Sequence, residues 1–327
     1  MNFKQGNEGM NSRAMSRIFG MAAMAAAATV WAGDARATEA VAGRYIPGVY
    51  AGPGEGVVPP VPGVYWGISN IYYHGKAGSD VPIGRNSVAV GLEADIWTTA
   101  LAAVYVPDLH LPGNWTYAVQ AVIPIGWTRA QATLGRFGTE QEVGALGDIS
   151  FAPVVLGWHN DALNTFFSAS LTVTAPTGEW KEGDLAFIGL NYWTFTPAVA
   201  YTRLLPEYGL DLSAKLGVDI NTKNNDTDYY SGAVAHLDLA VTKSLSENFS
   251  VGGLAGFLHQ IQDDRGTFAD AHDGFRGRSI AIGPFVKYKA KFGKTTEVDF
   301  GLRWAHEVEV ENRMKGDAVF FDISGKF

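Results

Sequence analysis

Seven histidines are scattered through the chain, and none stands at a metal-ligand spacing such as H-x-x-x-H. His306 and Glu307 adjoin, but on a run that alternates residue by residue, so they point to opposite faces. There is no phosphate-cradling Gly loop and no nucleophile elbow. With no Cys in 327 residues, thiol chemistry and disulfides are excluded. The acidic stretch Gln262–Gly274 could attract a hard cation, yet it lacks the spacing of a calcium loop and reads as a solvated outer loop. No catalytic residue, metal or cofactor is expected, and the chain is not read as an enzyme.

The elements that would have to position any site are strands. The stretch Thr165–Arg203 shows the unit. Phe167, Ala169, Leu171 and Val173 alternate with Ser168, Ser170, Thr172 and Thr174. Phe195, Pro197, Val199 and Tyr201 alternate with Thr194, Thr196, Ala198 and Thr202. Each run is a ribbon with one apolar and one polar face. The Pro-Thr-Gly-Glu turn formers from Pro176 onward join them as an antiparallel hairpin.

Twelve such strands are predicted, near 64–74, 87–106, 114–127, 147–158, 165–175, 187–203, 208–220, 229–243, 248–261, 278–290, 296–308 and 317–327. Connections after odd-numbered strands are long and those after even-numbered strands mostly short. That sorting suits an up-and-down antiparallel transmembrane β-barrel with short periplasmic turns and longer outer loops. A soluble sandwich gives no reason for it. Val319, Phe321 and Ile323 alternate toward a terminal Phe327, as in a signal read by barrel insertion machinery. At the other end, Arg13 and Arg17, the apolar run Ile18–Val30 and the small residues Ala35 and Ala37 read as an export signal over 1–37. A membrane-anchoring helix is the alternative, and the run is short for it. The remaining chain is acidic, which gives no footing for nucleic acid.

The expected organisation is therefore a signal (1–37), an irregular Gly/Pro-rich segment (38–63) that lies in the periplasm or tucks into the lumen, and an all-β barrel (64–327) in the outer membrane, with lipid around it. Apolar faces such as Leu210, Leu212, Leu216, Val218 and Ile220 should meet that lipid. By parity alone the lumen-lining candidates are Trp97, Tyr192, Asp211, Lys215, Asp219, His236, Asp238, Asp299 and Arg303.

Several motifs carry a resemblance. They are Val58-Pro-Pro-Val-Pro-Gly-Val-Tyr65, Leu146-Gly-Asp-Ile149 with Phe151 and Pro153, Ala175-Pro-Thr-Gly178, Gly189-Leu-Asn-Tyr-Trp-Thr-Phe-Thr-Pro197, Tyr230-Ser-Gly232, Gln260 with Asp263, and Ala281-Ile-Gly-Pro284. Together they resemble the outer-membrane proteins associated with the meta-cleavage pathway of phenol degradation. The resemblance spans about 45–327 and implies a channel for small hydrophobic, often aromatic, compounds. It brings no substrate residues with it. A closed barrel with a structural or surface-binding role is the alternative, since acids and bases mix on the inward faces.

Overall fold

The computed structural model describes residues 43–326 apart from 84, 85, 271–273, 275, 294 and 295. The expected export signal and Phe327 lie outside the described residues. Thirteen strands form one antiparallel sheet: β1 (Gly63–Ile83), β2 (Asn86–Val106), β3 (Trp115–Leu134), β4 (Phe137–Leu146), β5 (Ser150–His159), β6 (Thr165–Thr174), β7 (Thr194–Leu205), β8 (Leu210–Asn221), β9 (Val234–Ser244), β10 (Phe249–Gln260), β11 (Arg278–Phe292), β12 (Thr296–Glu311) and β13 (Lys315–Lys326). Neighbours in sequence pair, except that β4 and β5 both pair with β3. β1 pairs with β13, with Tyr65 opposite Lys326, and β2 pairs with β3, so the sheet closes. β4 and β5 share one place in the wall, which gives the twelve positions expected.

The two faces sort as a membrane barrel requires. Leu216, Val241, Ile282 and Leu302 are 47–52% exposed, whereas Asp238, His236 and Arg303 are 1–5% exposed. Apolar residues stand outward toward lipid and ionised ones inward. Inside, a small apolar cluster (Phe320, Ala281, Ala305, Ala318, Leu254, Tyr73) supports Ala51 of the N-terminal segment.

Two expectations from periodicity are corrected. The stretch 128–146, expected as a loop, is a hairpin: the end of β3 pairs with β4, from Leu134 opposite Phe137 to Ile125 opposite Leu146. Its residues (Arg129, Gln131, Glu140, Glu142) offer no apolar face because they rise above the hydrocarbon. The stretch 187–193, expected to open a strand, belongs to the loop before β7. Gly178 and Gly189 pack backbone to backbone there, and a Cβ on either would sit about 2.7 Å from the other. That contact folds the loop back on itself.

Trp97 is a third correction. It is 52% exposed and faces outward, while Ala94 and Ile96 of β2 face in. Register places Trp304, Tyr72, Trp97 and Trp127 in one cross-strand row on the outer face of β12–β3, aromatics of the kind that form a girdle at headgroup level. Asp95 and Glu93 continue the outward face of β2 above the girdle, where His74 Nδ1 lies 2.9 Å from Asp95 and Lys76 3.1 Å from Glu93. An outward charge there meets water rather than oil, so polarity no longer marks the lumen side.

Leu216→Arg places a charge on the lipid face of β8. It is expected to destabilise the barrel by about 2–4 kcal/mol, read from urea unfolding in lipid vesicles.

Candidate functional site

The N-terminal segment runs down inside the barrel. Arg44 meets the upper end of β7 at Thr194. Gly48 N donates to Asp238 Oδ1 at mid-height (2.9 Å). Gly54 N donates to Ser213 Oγ and Gly56 N to Thr202 Oγ1 (both 2.9 Å) near the lower end, where the short turns lie. Arg303 Nη1 donates to the carbonyls of Gly48 and Val49 (3.0 and 2.9 Å), and its Nη2 to Asp322 (2.9 Å). At Gly256 the fit is backbone against backbone: an added Cβ would lie 2.2 Å from Gly48 N. The inward polar faces of β7, β8, β9 and β12 are thus partners for a backbone with no ladder of its own. Tyr45 stacks on His236 with ring centroids 4.3 Å apart.

Asp148 is the hub above this. It sits where the wall breaks between β4 and β5. Its Oδ2 accepts from Arg44 Nη1 (2.8 Å) and Leu190 N (2.9 Å), and its Oδ1 from Gly178 N (2.8 Å). Arg44 also donates to the Tyr192 carbonyl (2.6 Å) and lies over the Tyr192 ring. One carboxylate therefore joins the break, the 175–193 loop and the N-terminal segment.

Between segment and wall is a cavity of about 670 Å³. Its two sides differ. On β1–β3 and the loop its lining is mostly apolar, with Ile71, Ile96, Ala100, Ala102, Val122, Pro124, Leu185, Phe187 and Ile188 set among Ser69, Thr98, Gln120 and Thr128. Across the lumen it is lined by Lys215, Asp219, His236, Lys287, Asp299 and Arg303, with Glu55 of the segment. Most of the charges are paired: Lys215 with Glu55 (3.5 Å), Lys287 with Asp299 (3.2 Å), and Asp219 near His236 (3.7 Å). Lys215 Nζ also stands 3.6 Å over the Tyr50 ring. A lumen with its charges compensated leaves the apolar strip as the surface to which an uncharged solute would adhere.

Of the residues predicted from parity, Lys215, Asp219, His236, Asp299 and Arg303 meet at this cavity. Asp238 is buried against the segment, and Asp211 lines a separate lower cavity, where it accepts from Ser213 Oγ. Tyr192 is buried with Leu190 in the loop cluster, and Trp97 is outside. Asp264, expected in a solvated loop, is buried and accepts from Tyr229 Oη, Gly232 N and Gln260 Nε2 (2.6–2.7 Å). Sequence reasoning missed Arg44, Asp148 and the apolar strip. A lone cation in the Gly/Pro segment and a lone acid in Leu146-Gly-Asp-Ile149 were the available signals.

Residues 78–323 match the family model described as putative MetA-pathway of phenol degradation. The chain belongs to this family. Among solved structures it is similar to the COG4313 outer membrane channel from Pseudomonas putida F1, with a TM-score of 0.65 at 18% identity, over 87% of this chain and 100% of that one. A Pseudomonas aeruginosa FadL homologue aligns with a TM-score of 0.47 at 8% identity, over 87% of this chain and 96% of that one. No curated protein matches. The fold of this family member is that of an outer-membrane barrel.

Asp148→Ala leaves Arg44 buried without its counter-charge and frees the 175–193 loop. A loss of about 3–5 kcal/mol is expected, as for a broken buried pair. Limited proteolysis should then cut between 175 and 193 in the variant and spare the wild type.

Proposed function

We propose that this protein is a passive outer-membrane channel for small hydrophobic compounds, aromatic ones included. The apolar strip on β1–β3 carries the reading. A wall that had only to enclose water would not turn Ile71, Ile96, Ala100, Ala102, Val122 and Pro124 to its inner face, with only Ser69, Thr98, Gln120 and Thr128 interspersed among them. The cavity volume is within the range of small-molecule sites. Such compounds cross a polysaccharide-coated leaflet poorly, so a protein path has a use. On this reading the chain is exported by its 1–37 signal, inserted by machinery that recognises Phe327, and performs no chemistry. The family's association with phenol degradation and the channel named among its structural relatives support the reading.

Ile96→Asp and Val122→Asp put a charge in the strip while leaving the lipid face alone. Uptake of labelled toluene by cells carrying either variant is expected to fall toward that of cells without the protein. Unchanged uptake in both would remove the strip from the route.

A second reading rests on the segment's many ties to the wall: a closed barrel with a structural or surface-binding role. Conductance across planar bilayers, with and without residues 38–63, separates the two. No current from either form would favour the closed barrel.

A further inference from the structure

The lumen holds a second cavity of about 340 Å³ at its lower end. It is walled by the β7–β8 turn (Leu204, Pro206, Gly209) and the β9–β10 turn (Glu247, Asn248). These are short turns, on the side where both ends of the barrel chain lie, which is the periplasmic side of such barrels. Two residues line both cavities: Pro53 of the N-terminal segment and Lys287 of β11. Pro53, on a chain turn, and Lys287, a long side chain from the wall, therefore stand between the two cavities.

The two halves of the partition are held differently. The turn is tied by Gly54 to Ser213 and Gly56 to Thr202, and Gly56 packs directly on the β7 backbone at Tyr201 and Thr202. Lys287 is held at its tip, by Asp299 at 3.2 Å, with its side chain 31% exposed. Asp299 lines the upper cavity, and Asp211 lines the lower one together with Lys287. A lysine ammonium rides on a flexible four-carbon stem, and in a confined lumen it needs a counter-charge. Lys287 has one on each side of the partition.

We propose that Lys287 is the gate between the two cavities, swinging from Asp299 to Asp211 to open an exit from the apolar strip toward the periplasm. The swing exchanges one ion pair for another instead of losing one, so its cost is small beside that of stranding the ammonium. The stem presents methylenes to a hydrophobic solute as it passes. This rests on the channel reading above and supplies that reading with a way out. It makes Lys287 a positioning residue for transit, set apart from the strip that retains the solute.

The chain has no Cys, so Lys287→Cys creates a single addressable thiol. Folding of the variant is checked by heat-modifiable migration on gels. Labelled toluene uptake is then measured in cells before and after reaction with a bulky aromatic methanethiosulfonate, with attachment confirmed by mass. The expected result is wild-type or faster uptake before labelling, loss to the level of cells lacking the protein after it, and recovery on reduction. Lys287→Trp should show the same loss without a reagent. If wild-type cells take up toluene and neither the label nor Lys287→Trp slows it, the gate is refuted while the channel reading stands. If wild-type cells take up no more than cells lacking the protein, the channel reading falls, and the gate with it.

Discussion

The structure depends on one constraint: in hydrocarbon, a strand's backbone amides and carbonyls have no partner but another strand. Closure of β1 onto β13 answers it around the wall. The answer lapses at 147–149, where one wall position passes from β4 to β5. Asp148 and the folded-back loop stand at that gap. Gly147 N donates to the Pro124 carbonyl, Glu179 N to the Leu146 carbonyl, and Leu185 N to Gln141 Oε1. The loop does there what a neighbouring strand does elsewhere. It also brings Leu185, Phe187 and Ile188 to the cavity, so the repair of the wall and the apolar strip are one piece of structure.

The same constraint, turned inward, accounts for the charged half of the lumen. The N-terminal segment is too rich in Pro and Gly to form a ladder, so the polar groups that its own turns leave over must be met by side chains. Asp238, Ser213, Thr202 and Arg303 meet them. Inward charges that serve the segment cannot also serve as a continuous hydrophilic path. What remains open is the side the segment leaves uncovered, and that side is mainly aliphatic.

Much of the barrel was legible in the sequence because its strands cross oil. Where a face must be apolar on one side and wet on the other, as along Leu210–Asn221, period two leaves an unmistakable trace. It failed where that need ends. Above the girdle both faces of the wall are wet, so the 128–146 hairpin looked like a loop and Trp97 was assigned inward because it shares parity with Asp95. Tyr192 was misjudged for another reason: Gly189-Leu-Asn-Tyr192 alternates by chance, and only the Gly178–Gly189 contact reveals a fold-back. The apolar strip was illegible because β2 and β3 are largely apolar on both faces through Ala100–Val104 and Ala121–Ile125, and a strand greasy on both sides carries no sign of which one lines a cavity.

The descent of the N-terminal segment has a consequence for how the molecule is assembled. Residue 44 lies near the outer mouth, yet the chain leaves the lumen at the opposite end to begin β1, whose closing partner is β13, far from it in sequence. The tunnel thus contains the segment that precedes its own first strand. Either that segment is laid across the half-formed sheet before β1 and β13 zip together, or it is pulled through a finished ring against its own charged attachments. The first order avoids threading, and it makes the pairing most distant in sequence, β1 with β13, the step that encloses the segment.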